Sequence, residues 1–141
     1  MKTTARARNN ARLYTVQALY QKKVADNTFA ELKVQYYADN AGRHQTDWEL
    51  FYRLIDAVDT NQSTIKNYIS ENSDEGIDSI NYVDYAVLQA AVAELIECLE
   101  NPYQIIIKEY VEIAFSMGTE EGYKFINAVL QKLAKSIRDV E

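Results

Sequence analysis

An all-α fold, a single compact domain of about seven helices arranged as two packed helical halves, is what the sequence predicts, and three observations lead there. Gly occurs only four times and Pro once in 141 residues, which leaves little material for tight turns. Leu, Ala, Glu, Lys and Gln, all good helix formers, are plentiful. Apolar residues recur at spacings of three and four along most of the chain. A chain of this length buries roughly two thirds of the surface its unfolded form exposes, so residues 1–141 suffice for one domain with one core. Eleven Tyr is the unusual count; their rings suit half-buried helix packing and partner surfaces alike.

From about Thr4 to Val24, the residues Leu13, Val16, Tyr20 and Val24 fall on one side of a helix, and Arg8 and Arg12, four apart, share another. Two Thr-x-x-Glu capping boxes, Thr28 with Glu31 and Thr46 with Glu49, mark the starts of a second and a third helix. Trp48, Phe51, Ile55 and Val58 give the third an aromatic and aliphatic stripe. A shorter helix around Gln62 to Ile69 leads into the polar loop from Glu71 to Gly76, the joint between the halves. Asn81 caps a long helix carrying Val87, Leu88, Ala91, Val92, Leu95 and Leu99, apolar on so many sides that it reads as the buried central element. After Asn101 and Pro102, the residues Ile106, Tyr110, Ile113, Ala114 and Met117 define another helix, closed by Gly118. Thr119 caps the last, in which Ile126, Val129, Leu130, Leu133 and Ile137 face inward and Lys124, Lys132, Lys135 and Arg138 leave a basic outer side.

Enzyme signatures are absent. There is one His, His44 in a polar loop, and one Cys, Cys98 on an apolar face, so neither a metal cluster nor a nucleophile beside a base is suggested, and no disulfide can form within the chain. No glycine-rich phosphate loop, GxSxG or CxxC occurs. Glu109 and Glu112 lie three apart on a helix, the ordinary look of an exposed acidic face. No uncharged apolar run approaches 18 residues and no signal-peptide pattern opens the chain, so a cytoplasmic protein without cofactor or membrane span is expected.

Charge is segregated. The first 25 residues hold Lys2, Arg6, Arg8, Arg12, Lys22 and Lys23 and no acid, although the chain as a whole has 21 Asp and Glu against 15 Lys and Arg. A cationic strip on an acidic body attracts a polyanion locally while the body repels it, which points to RNA held at one edge; a merely solvated basic terminus is the competing reading. Asn9 and Asn10, between the arginines, add amides able to meet phosphates or base edges.

Four segments in order carry a family resemblance. These are ARLYTVQALYQ over 11–21, AVLQAAVAEL over 86–95, PYQIIIKEYVEIA over 102–114 and GTEEGYKFINAVL over 118–130. Together they resemble the NusB family of transcription antitermination factors, with its VQALYQ-like core, its AVLR…YEL helix and its KFVNGVL signature. The resemblance implies binding of boxA-like single-stranded RNA jointly with NusE, a ribosomal protein of the small subunit, in the transcription elongation complex, supporting processive transcription of rRNA operons. By position it implies that Lys2, Arg6, Arg8, Arg12, Glu121, Lys124 and Phe125 contact RNA and that Tyr20 and Asp84 contact NusE. By pattern alone Phe125 and Tyr20 also fit apolar stripes, and Asp84 fits the acidic decoration of a helix start. The chain departs from the family pattern at Asn9, Asn10 and Gln89, where the family tends to have arginine, and at Ala128, where it has glycine. Fewer cations imply a shallower salt dependence of RNA affinity. The alternative from another class is a protein-interaction or homodimeric scaffold that does not touch RNA; an RNA-binding domain detached from a methyltransferase finds no support, since no cofactor-binding segment follows residue 141.

Overall fold

Residues 3–117 and 121–140 are described by a computed structural model, and among them every regular element is helical. Helix α1 spans Ala5–Ala25; Thr4 precedes it in extended conformation, and its hydroxyl accepts the Ala7 amide at 3.0 Å, satisfying one donor that a helix start leaves open. Helix α2 (Phe29–Asn40) begins with the expected reciprocal box, Thr28 Oγ1 accepting the Glu31 amide at 3.1 Å and Glu31 Oε1 the Thr28 amide at 3.2 Å. Helix α3 (Trp48–Thr60) corrects the second expected box: Asp47, not Thr46, is the cap, its Oδ1 accepting the Leu50 amide at 3.0 Å. The charged oxygen sits one residue closer to the helix, and Thr46 turns instead to the His44 carbonyl.

Helix α4 (Gln62–Glu71) runs into the predicted polar joint, where Gly76 adopts φ 86°, a conformation costly for any residue with a Cβ, before a 3₁₀ turn over Ile77–Ser79. Helix α5 (Tyr82–Glu97) is capped by Asn81, α6 (Tyr103–Ser116) follows Pro102, and α7 (Gly122–Arg138) completes the fold. The expected stop at Gly118 and cap at Thr119 lie outside the described residues.

As its composition predicts, α5 is central: α1, α3, α4, α6 and α7 all pack on it, and its residues from Ala86 to Leu95 are buried apart from Gln89. Three expectations need correction. The buried side of α1 is built from Ala7, Ala11, Tyr14, Thr15, Ala18 and Leu19 together with Val16, while Val24 is exposed and Tyr20 is 36% exposed. Small residues let α1 approach α5 and α3 closely, and a search for large apolar side chains passes over them. Leu99 is 70% exposed because α5 has ended before it. Arg138 does not join a basic outer side; its guanidinium turns inward and donates to the carbonyls of Leu95 at 2.7 Å and of Cys98 and Asn101 at 3.0 Å, closing the C-terminal end of α5.

These contacts also set directions. Arg12 near the start of α1 meets Glu94 near the end of α5, whereas Lys23 near the end of α1 lies over Tyr82 at the start of α5, so the two helices are antiparallel. Helix α7 runs parallel to α5, with Phe125 beside Asp84 in one groove and Arg138 on the α5 C-terminus. The starts of α1 and α7 thus sit at opposite ends of α5, a helix of 16 residues and so about 24 Å long at ~1.5 Å per residue.

Candidate nucleic-acid interface

At the α1 end, Arg6 is exposed and Arg8 half-buried, its Nη1 donating to the Thr3 carbonyl at 2.7 Å and reaching the Thr3 hydroxyl at 3.3 Å. Lys2 lies outside the described residues. Arg12 is a correction. It is 2% exposed, and Glu94 accepts from its Nε at 2.9 and 3.1 Å and from its Nη2 at 2.7 Å. Tyr110 and Asn101 complete the acceptor side, donating to Glu94 at 2.8 and 3.0 Å, and Asn9 Oδ1 accepts Arg12 Nη1 at 2.6 Å. Burial opposes the charge on Arg12, yet the hydrogen bonds and coulombic attraction of Glu94 outweigh it and raise the guanidinium pKa; burial likewise pushes the Tyr110 phenol well up, keeping it a neutral donor. A phosphate cannot reach Arg12 without dismantling the core.

Asn9 is therefore engaged with Arg12, and Asn10 donates to the Gln45 carbonyl at 2.8 Å. That bond, together with Asp47 N–H to the Ala7 carbonyl at 3.0 Å, fastens loop 41–47 against the first turns of α1. Arg43 is exposed on this loop and adds a cation to the edge; nothing in the linear pattern links it to Arg6, because the link is the fold itself.

At the other end of α5, Lys124 and Glu121 are exposed, and Phe125 is half-buried. Phe125 lines a groove of about 500 Å³ between the joint after α4, the start of α5 and the first turns of α7; Asp74, Glu75, Glu121 and Lys132 also line it. A groove with this much acid does not attract phosphates, but carboxylates accept from exocyclic amino groups of bases, and an aromatic ring stacks on them. A lining richer in acid than in base, with Lys124 exposed on the first turn of α7, suits a strand that keeps its backbone on Lys124 and turns bases inward.

Asp84, expected to face a basic partner, is 5% exposed; its Oδ2 accepts from Asn81 Nδ2 at 3.0 Å, and its amide is held by Asn81 Oδ1 at 2.8 Å. The carboxylate serves the start of α5 instead. Tyr20 does reach the surface, and Val24, its neighbour on the expected stripe, is exposed one turn on; Tyr82 is exposed as well, with Lys23 Nζ 5.3 Å from its ring centroid.

The profile of the NusB family matches residues 9–135. The chain belongs to the NusB family. Among its NusB relatives, the transcription antitermination protein of Colwellia psychrerythraea (strain 34H) is 38% identical over 134 residues, covering 95% of this chain and 96% of that protein. That of Legionella pneumophila (strain Corby) is 32% identical over 140 residues, covering 99% and 95%. In structure the chain resembles NusB from T. maritima, with a TM-score of 0.80 at 29% identity over 95% of this chain and 93% of that one. It shares the fold of the NusB in a crystal structure of antitermination factors NusB and NusE in complex with dsRNA, with a TM-score of 0.84 at 23% identity over 94% and 99%.

Proposed function

We propose that this NusB-family chain is a non-enzymatic transcription antitermination factor of the cytoplasm that binds boxA-like single-stranded RNA together with NusE within the transcription elongation complex. The observation that carries the reading is the exposed Lys124 beside Phe125, whose ring lines an acceptor-rich groove, in a chain whose relatives are antitermination proteins. The RNA site comprises Arg6, Arg8 and Arg43 at one end of α5 and Glu121, Lys124 and Phe125 at the other, without Arg12. NusE docks on Tyr20, Val24 and Tyr82, where apolar rings supply area at small entropic cost.

Coupling is the mechanism. RNA and NusE that touch on one platform each raise the affinity of the other by the same factor, so an RNA site with few cations becomes effective in the ternary complex. Anisotropy titration of a fluorescent boxA RNA, with and without NusE, tests this. NusE is expected to tighten RNA binding, and Lys124→Ala to weaken it in both settings; an RNA affinity at the level of unrelated sequence, unmoved by NusE, overturns the reading.

A further inference from the structure

Among the described residues, Phe115, in the last turn of α6, is an apolar ring 62% exposed that the groove does not account for. The core has no need of it, since α6 buries Ile106, Ile107, Tyr110, Ile113 and Ala114 on its other side. Single exposed rings are common on protein surfaces. This one is not single. Tyr123, in the first turn of α7, meets it edge to face with centroids 5.3 Å apart and planes at 84°, which fixes both rings across the junction of the two helices. Lys124 Nζ lies 6.0 Å from the Tyr123 centroid. Tyr123 and Phe125 project to opposite sides of α7, because two residues are about 200° of helical turn, and Lys124 stands between them.

We propose that Phe115 and Tyr123 form a second base-stacking platform for single-stranded RNA, continuing the path beyond Phe125. This rests on the RNA reading of the groove. The occupant is chosen by charge and continuity: Lys124 is shared by the two aromatic positions and holds the phosphate between successive nucleotides, one base going to the Phe125 groove and a neighbouring base to the Phe115 ring. Glu112, exposed about one turn before Phe115 on α6, repels phosphate from that position and so leaves it to the base itself. Stacking tolerates any base because every base has a π face, so the platform lengthens the footprint without adding sequence preference.

The test uses the full chain with NusE and boxA RNA carrying 2-aminopurine at successive positions. Wild type is expected to quench the fluorophore at a position adjacent to that protected by Phe125, and Phe115→Ala to abolish quenching there alone. Phe115→Ala is also expected to weaken RNA binding about five- to a hundredfold, with Phe115→Trp restoring both readouts. Phe115 is exposed, so the helical circular dichroism of the variant should match wild type. If wild type binds RNA and Phe115→Ala binds it equally well, the platform is overturned while the RNA function stands. Loss of NusE affinity without loss of RNA affinity assigns the rings to protein contact and overturns it too. Failure of wild type to bind boxA RNA removes the function and the platform together.

Discussion

At the scale of single residues, the governing fact is that the most basic helix of an acidic protein hides one of its arginines. Arg12 and Glu94 are both essentially out of solvent, and Asn9 accepts a further guanidinium N–H while Asn101 and Tyr110 donate to the carboxylate. Removing one member strands the other's charge in the core, so Arg12→Ala is expected to destabilise the fold by about 3–5 kcal/mol, read as a lowered urea midpoint. Replacing the pair together with its buried donor, as in Arg12→Met, Glu94→Leu and Tyr110→Phe, is expected to recover most of that loss, because the desolvation cost of the pair disappears and no buried hydroxyl is left without an acceptor. Sequence alone shows an arginine four residues from Arg8, and its partner lies 82 residues away; no local pattern distinguishes a phosphate ligand from a core ion in that setting. Cys98 was legible as core, and burial raises its thiol pKa to about 12. Iodoacetamide at pH 8 is expected to leave it unmodified in the native protein and to alkylate it within minutes in urea, followed by mass spectrometry.

At the scale of elements, patterns that depend on near neighbours were readable, the Thr46 and Glu49 box excepted, and those that depend on packing partners were not. The Thr28 and Glu31 box, the Asn81 cap and the all-round apolar α5 follow from spacing within a few residues, and they stand as expected. The α1 stripe was misplaced because half of its buried face is alanine and threonine. Arg138 was misread because its three carbonyl acceptors belong to another element. The box on α2 carries a pH signature. Thr28 holds the Glu31 carboxyl below its ordinary value, first through the side-chain hydrogen bond, and Arg53 does the same to Glu100. Depressed folded-state values mean that the stabilisation is present above the unfolded carboxylate pKa and is lost as pH falls through the lower folded values. Thermal melts between pH 6 and pH 3 are expected to show a smaller loss of stability for Thr28→Ala than for wild type, since the variant lacks the interaction that protonation removes.

At the scale of the whole molecule, two small groups of cations at opposite ends of α5 sit on a body with net charge −6. Each phosphate neutralised on a single strand contributes about −0.7 to the slope of log affinity against log salt. Arg6→Ala and Arg43→Ala are each expected to flatten that slope by roughly this amount, whereas Arg12→Ala, measured well below its melting temperature, should leave it unchanged; titrations at four salt concentrations decide it. The same buried pair has a bearing on how the chain is made. Arg12 leaves the ribosome long before Glu94 exists, and at roughly 5–20 residues per second the interval is about 4–16 s. Throughout that time the first helix has no counter-ion for its guanidinium and no α5 to lie on, so the segment translated earliest is secured among the last. Until then its full set of arginines faces water, and the nascent N-terminus is more cationic at its surface than the same residues are in the finished protein.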